Sequence, residues 1–492
     1  MSGMMNWQQL LSDARWGSRH RITASPQKNR SNYDRDYGRI LFSSAFRRLQ
    51  DKTQVFPLGR NDYVRTRLTH SLEVAHIGSS LGMLAGEWLA KKGSLPSPIM
   101  PSDVATIVST ACLAHDIGNP PFGHFGEVVI GDWFKSHLDR LSYKGRPLSQ
   151  WLDRQMKADL CHFEGNAQAL RLLTKVYRVD SAFGMDLMPA VLNTLVKYPV
   201  DSTRVDKASA DVKLHKLGYY KAEEALFGAL ASATGTRTVE GFCRHPLTYI
   251  LEAADDIAYA TADLEDAYKK GLFTLDEFER FFRDTLEAKK DDWGLNGGQV
   301  KKSAEMIDEL TRLRERESSS MAAFQRWIAY ARHWLMYTAA FGFVPYGAGQ
   351  TDSYSAIMEG TFRREIMEGT FHGGSIRILK AAMGRFAYDS EGILTLELAA
   401  QTILTTLLSR FVPAVLYLDA GDDAPEEYRP TAAEKKLVKL LSENQLACYR
   451  ADAEGKDEGY RLYLRLLLVT DFISGMTDSY AKNLYQELTG IY

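Results

Sequence analysis

The sequence predicts an all-α protein, on three observations. Apolar side chains recur at three- and four-residue spacing, period-two alternation is nearly absent, and Gly/Pro-bounded β-branched runs are few. Val74, Ile77, Leu81, Leu84 and Trp88 place one helix over residues 72–90. Ser102 or Asp103 caps the next, which runs through Val104, Ile107, Ala111, Leu113 and Ala114. Gly118 ends it, and Pro120-Pro121 forbids continuation. Amphipathic helices are predicted again over 163–177, 247–268 and 322–338. Residues 394–398 (Leu-Thr-Leu-Glu-Leu) alternate and make a weak strand expectation. Residues 289–298 and 419–430 read as solvated loops. The hexapeptide Ile-Met-Glu-Gly-Thr-Phe occurs at 357–362 and again at 366–371, too few copies for a solenoid.

Composition bounds the class. The chain has 492 residues, 45% hydrophobic and 25% charged, which suffices for a large core. A formal net charge of -2 excludes a global basic field for nucleic acid. Cys112, Cys161, Cys243 and Cys448 lack CxxC spacing and read as reduced thiols of a cytoplasmic protein. The N-terminal residues lack the basic-then-apolar layout of a signal peptide. No apolar run approaches the ~18–20 residues of a spanning helix, so no membrane association is expected.

The chemistry concentrates at Leu113-Ala-His115-Asp116-Ile-Gly118-Asn119-Pro-Pro-Phe-Gly-His124-Phe-Gly-Glu127. An imidazole beside a carboxylate is half of a metal site. His70 upstream and Asp255 downstream, each in a helical stretch, supply the other half if the helices pack together. Two imidazoles with two carboxylates suit Mn, Fe, Co, Ni or Mg better than structural zinc. Such a set leaves coordination positions for water and phosphate oxygens. Alone, each of these residues is ordinary; their joint order and flanks carry the reading. His124 and Glu127 are three apart, so the carboxylate can hold the imidazole in one tautomer. That pair suits a general base toward water or an acid toward a leaving oxygen, and spacing leaves both open. Asp255, Tyr259 and Asp263 are four and eight apart and form one helical stripe, from which Asp256 points away.

The order His70, His115-Asp116, Asp255 resembles the HD superfamily of metal-dependent phosphohydrolases. Five blocks narrow the resemblance to deoxyguanosine triphosphate triphosphohydrolases: residues 33–57, 66–75, 114–127, 163–168 (Phe-Glu-Gly-Asn-Ala-Gln) and 253–259 (Ala-Ala-Asp-Asp-Ile-Ala-Tyr). The resemblance implies an HD-type helical core, placed at 30–270, with additional C-terminal helices at 271–492 packed on it or continuous with it. It implies cleavage of dGTP or another dNTP at the α-phosphate, releasing the deoxynucleoside and inorganic tripolyphosphate. One divalent metal (Mn, Mg or Co) is implied, held by His70, His115, Asp116 and Asp255. By the same resemblance Tyr259 stands against the sugar and excludes a 2′-hydroxyl, with Asp263 near the 3′-hydroxyl. Arg67, His162 and Lys197-Tyr198 match phosphate-side positions, and Gln54 and Val55 positions beside sugar and base. His124 and Glu127 match the catalytic pair. Asn119 departs from relatives that carry another His there. A homo-oligomer, commonly a hexamer, is implied, and single-stranded DNA is an added partner the resemblance admits. An HD protein acting on another phosphoester, or sensing nucleotide, is the alternative reading. Basic-aromatic residues 326–334 could stack bases but read better as a packed helix face.

Overall fold

A run of small residues brings two long helices unusually close together. Gly78, Gly82 and Gly86 recur every four residues along one helix face. A Cβ on them would meet Cys112 Sγ at 2.5 Å, Ala105 Cα at 2.9 Å and Pro101 Cα at 2.7 Å. Rising residue numbers meet falling ones, so the two helices run antiparallel and almost touch backbone to backbone. This packing carries His70, near the start of the first helix, to His115, just past the end of the second.

The computed structural model describes residues 4–12, 31–56, 63–177, 184–344, 353–388, 390–421 and 423–491. Pro57, the last residue of the N-terminal block, lies outside them. Helix α1 is Asn32–Leu41, α2 Arg67–Lys91, α3 Pro101–Ala114, α4 Gly123–His137 and α5 Gly165–Arg171. Helix α6 is Pro246–Ala258, α7 Leu264–Lys269 and α8 Ser320–Phe343. Among those that follow in the C-terminal region are α9 Glu391–Leu416, α10 Glu443–Ala453, α11 Glu458–Ser474 and α12 Asp478–Thr489. The fold is all-α as predicted; among the described residues the only sheets are two two-stranded hairpins.

Local chemistry explains the ends. Thr66 and Thr69 form a reciprocal cap on α2. Helix α3 begins two residues earlier than a Ser102 cap predicts: Met100 takes the cap position, Pro101 opens the helix, and Asp103 accepts from the Met100 amide at 2.8 Å. Two predicted continuous helices contain π turns, at Leu172–Val176 after α5 and at Tyr259–Asp263 between α6 and α7.

Two expectations are corrected. Residues 394–398 are not a strand; they belong to the 26-residue helix α9, whose buried Ile393, Ala400, Leu404, Leu407, Leu408 and Phe411 follow helical spacing. That helix is also long and apolar enough to cross a membrane by length and composition, although its apolar residues form no unbroken run. Thr and Glu interrupt its sequence, and its C-terminal half is packed inside the protein. The repeated hexapeptide is not repeated in structure: Gly360 is left-handed at a helix end, whereas its counterpart Gly369 closes a 3-10 turn.

The apolar interior forms two clusters. One surrounds α2, α3, α6 and α8; the other surrounds α4, α9 and α11. Helix α8 buries Trp327, whose indole donates to Met306 O at 2.7 Å, so residues 326–334 include a packed face. Helix α11 is buried along nearly its whole length. Arg171 ties it to α5 by a bidentate pair with Asp471, both bonds 2.8 Å, and pairs with Glu223 at 2.8 Å.

Buried Asp159 accepts from Ser202 Oγ (2.5 Å), Tyr463 Oη (2.5 Å) and the Lys221 amide (2.8 Å). Burial outweighs these bonds and pushes its carboxyl up to about 7. Its folded value lies above the unfolded one. The stabilisation is therefore present at acid pH and lost as pH rises through about 7. Melting curves of Asp159→Asn should accordingly show a smaller fall in stability between acid and mildly alkaline pH than the parent protein.

Candidate active site

A cavity of about 410 Å³ lies where α2, α3, α4 and α6 meet. His70, His115 and Asp255 converge on it, and their ligand atoms all lie within 4.8 Å of one another. His70 Nε2 is 3.2 Å and His115 Nε2 3.4 Å from Asp255 Oδ1. His115 Nδ1 lies 2.6 Å from Cys112 O. Donation there leaves the Nε2 lone pair facing the cavity, the arrangement a metal-ligating imidazole needs. Two imidazole nitrogens and a buried carboxylate fit a divalent cation.

Asp116 stands beside this set rather than within it. Its Oδ2 is 3.5 Å from His115 Nε2 and 2.9 Å from the Arg67 guanidinium, while Asn119 Nδ2 donates to Oδ1. Burial opposes charge on Asp116, yet Arg67 and the two imidazoles outweigh it and hold the carboxyl well below the usual range. Burial likewise opposes charge on Asp255, and Lys197, His115 and His70 overcome it. Lys197 Nζ lies 2.6 Å from Asp255 Oδ2. Arg244 fixes that lysine's backbone, donating to Lys197 O at 2.6 Å and pairing with Glu252 at 2.8 Å. Its guanidinium also lies 5.5 Å from the Tyr198 ring centroid.

The turn after α3 presents the next group. Phe122 and Gly123 both have left-handed backbones (φ 65° and 63°). A Cβ at Gly123 would lie 2.6 Å from the Arg67 guanidinium, so this turn needs glycine. His124 follows with an exposed ring, its Nδ1 2.9 Å from Glu127 Oε2. Glu127 is buried and accepts from the Gly165 amide at 2.8 Å. Gly165 is required by close approach: a Cβ there would be 2.2 Å from Asn119 Oδ1 and 2.8 Å from Glu127 Oε1. Burial disfavours the Glu127 carboxylate, but His124, Lys216 and the Gly165 amide keep it below the ordinary value.

Gln54, Val55, Arg67, Lys197, Tyr198 and Tyr259 line the same cavity. The Tyr259 hydroxyl is hydrogen-bonded to that of Tyr388. Three candidates stand elsewhere. Glu127 acts from behind His124. Asp263 lies behind His70, with Gln54 bonded to it; burial pushes its carboxyl up to about 7 against the nearby His70 and Arg65. The π turn from Tyr259 shifts the helical register, which takes Asp263 off the line of Asp255 and Tyr259. His162 is exposed at the end of a short helix, facing Lys135 and Lys207, and does not line the cavity.

The sequence reading missed several lining residues. Asn166 belongs to a recognised block but had no role; Lys216 lies in irregular chain, 3.0 Å from Glu164, where no periodicity marks it. Glu365, Tyr388, Ile393 and Glu397 arrive from the C-terminal region, far from any motif. Asp478, at the start of α12, accepts from Thr53 N (2.9 Å), Thr53 Oγ1 (2.6 Å) and Phe122 N (2.9 Å). It thereby joins two walls of the cavity.

With this geometry in view, comparison with known proteins decides the family. Residues 67–174 match the HD domain model. A deoxyguanosinetriphosphate triphosphohydrolase-like protein of Listeria monocytogenes is 41% identical, covering 99% of this chain and 100% of its own length. One from Pseudomonas aeruginosa is 36% identical, covering 99% of each chain. The deoxyguanosinetriphosphate triphosphohydrolase of Enterobacter sp. is 33% identical over 96% of this chain and 97% of its own. The chain belongs to the deoxyguanosinetriphosphate triphosphohydrolase-like family.

For this HD-domain hydrolase, the clustered donors of His70, His115 and Asp255 make metal binding measurable without turnover. Saturating Mn²⁺ should raise the melting temperature by several degrees, since a ligand at about 100 times its dissociation constant contributes about 2.7 kcal/mol. Calorimetry of His70→Ala should show that rise abolished.

Proposed function

We propose that this protein hydrolyses dGTP at the α-phosphate, releasing deoxyguanosine and inorganic tripolyphosphate. The observation that carries the reading is one cavity joining the His70, His115 and Asp255 donors to the His124–Glu127 pair. Its volume of about 410 Å³ suits a nucleotide.

His70, His115 and Asp255 would hold one divalent ion, and Asp116, whose Oδ2 stands beside them 3.5 Å from His115 Nε2, would turn from Arg67 to become a fourth ligand; Mn, Mg and Co all suit the donors. When bound, the ion supplies Lewis-acid activation of a phosphoryl oxygen and of water. Arg67, Lys197 and Lys216 line the cavity and oppose the polyphosphate's negative charge. Water adds its oxygen to the α-phosphorus, and the bond from phosphorus to O5′ breaks. One proton leaves the water and one arrives on O5′. His124, held at Nδ1 by Glu127, presents Nε2 to the cavity and handles one of these transfers. Tyr259, steadied by Tyr388, fills the space beside the sugar that a 2′-hydroxyl would need. Gln54 and Val55 border the nucleoside from the opposite strand of chain, and Asp263 supports Gln54.

Incubation with each dNTP and Mn²⁺ or Mg²⁺, followed by chromatography, tests the reading. Tripolyphosphate from dGTP is the expected product; pyrophosphate or orthophosphate would contradict it. His124→Ala should retain the Mn²⁺-induced thermal shift while losing about 10²–10⁴ in turnover, the usual size of general acid–base catalysis. Tyr259→Ala should hydrolyse GTP at a rate closer to that for dGTP; unchanged discrimination would remove the sugar gate.

A further inference from the structure

Behind the His124 side of the cavity, two distant pieces of chain are tied into one wall. Residues 164–166 lead into α5, and residues 216–220 are irregular. Tyr220 is fully buried; its hydroxyl donates to Glu164 O at 3.2 Å and lies 3.4 Å from the Glu164 amide. Glu164 O also accepts from Gln168 N at 3.0 Å, so the backbone at Glu164 is fixed from two directions. Gly218 fixes the other piece. Its amide donates to Val200 O at 3.0 Å, and a Cβ there would lie 2.0 Å from Tyr198 O. Residues 216–220 are thus pressed against the Lys197–Tyr198 segment. The Glu164 side chain is the part that packing does not require. It is buried near a second buried carboxylate, Glu127, and burial and that like charge both push its carboxyl up. Its Oε1 accepts from Asn166 Nδ2 at 2.7 Å and from Lys216 Nζ at 3.0 Å. Both donors line the cavity, whereas Glu164 stands behind them. Burial opposes charge on Lys216, but Glu164 and Glu127 outweigh it and raise the ammonium above its ordinary value.

We propose that Glu164 is a positioning residue for polyphosphate, holding the Lys216 ammonium and the Asn166 amide as one pair that faces the phosphates, an assignment that rests on the cavity being the nucleoside triphosphate site proposed above. Lys216 gives Glu164 one of its three N–H groups and keeps two for phosphate oxygens. Without the anchor its four-carbon stem rotates freely, and ordering it on binding costs side-chain entropy. Asn166 loses the same hold. One carboxylate thereby sets two ligand contacts without touching the ligand. The sign of its effect is diagnostic. Removing a negative charge beside a polyanion site strengthens binding by Coulomb's law alone, whereas removing an anchor weakens it.

Inorganic tripolyphosphate is the probe, titrated calorimetrically into the full chain with chelator present. Lys216→Ala should weaken binding by at least about tenfold, the scale of one charge-assisted contact. Glu164→Ala should weaken it by at least about fivefold, although it removes a negative charge. Glu164→Gln, whose amide oxygen still accepts, should stay within about threefold of the parent protein. Glu164→Met, equal in length but without an acceptor, should match Glu164→Ala, and it carries the test where the alanine leaves a cavity that unfolds the chain. Adding Glu164→Ala to Lys216→Ala should cost less than Glu164→Ala costs alone, because part of its effect runs through the lysine. The Glu164 variants should keep the Mn²⁺-induced thermal shift. Unchanged or tighter binding by Glu164→Ala and Glu164→Met, with Lys216→Ala weakened, would overturn this proposal and leave the phosphate-facing cations standing. Full additivity of the two substitutions would overturn it in the same way. No effect of Lys216→Ala, or no binding by the parent protein, would overturn it together with the phosphate-facing role of Lys216.

Discussion

The close antiparallel packing of α2 against α3 is the constraint on which the rest depends. Any side chain larger than hydrogen at Gly78, Gly82 or Gly86 would meet the facing helix at under 3 Å. Ridge-into-groove packing of ordinary residues holds helix axes about 8–10 Å apart. The glycines bring the backbones closer, and His70 and His115 end with ring centroids 5.4 Å apart. Asp255 then needs to come only from α6, which packs across both helices. The candidate metal donors thus meet because of where three helices stop and start.

Charge in the cavity is managed by pairing rather than by exposure. Asp255 faces Lys197, and Asp116 faces Arg67, so each of these buried carboxylates is ionised yet neutralised on one oxygen. Arg244 behind Lys197 and Gly165 behind Glu127 are supporting contacts that set the positions of the groups in front. Left-handed backbone at Phe122 and Gly123 is held from outside by Asp478, so strain at the His124 turn is met by a residue more than 350 positions away.

The C-terminal helices therefore complete the walls of the candidate site rather than merely cover it. Tyr388 braces Tyr259, Ile393 and Glu397 form a wall, and Asp478 ties together the Thr53 segment and the His124 turn. The buried Arg171–Asp471 pair fixes α11 against α5, and this keeps α12 and its aspartate in register with the turn that carries His124.

Much of this was legible in the sequence because it is local. Helical spacing, the Pro120-Pro121 stop, the adjacency of His115 and Asp116 and the three-residue step from His124 to Glu127 are all set by neighbours along the chain. The four-residue glycine stripe was equally readable. Other features were not, because they depend on what packs against a segment. The alternating residues 394–398 become helix since α9 has a buried face to satisfy. The i, i+4 stripe from Asp255 breaks at Asp263 since the helix takes a π turn there. His162 sits beside a recognised block but turns outward, whereas Lys216, in chain without pattern, turns in. Sequence alone determined the helical class and the residues capable of the chemistry, because periodicity and side-chain type are properties of the chain itself. Tertiary structure decided which of them face one cavity, because only packing fixes the direction of a side chain whose partners lie hundreds of residues away.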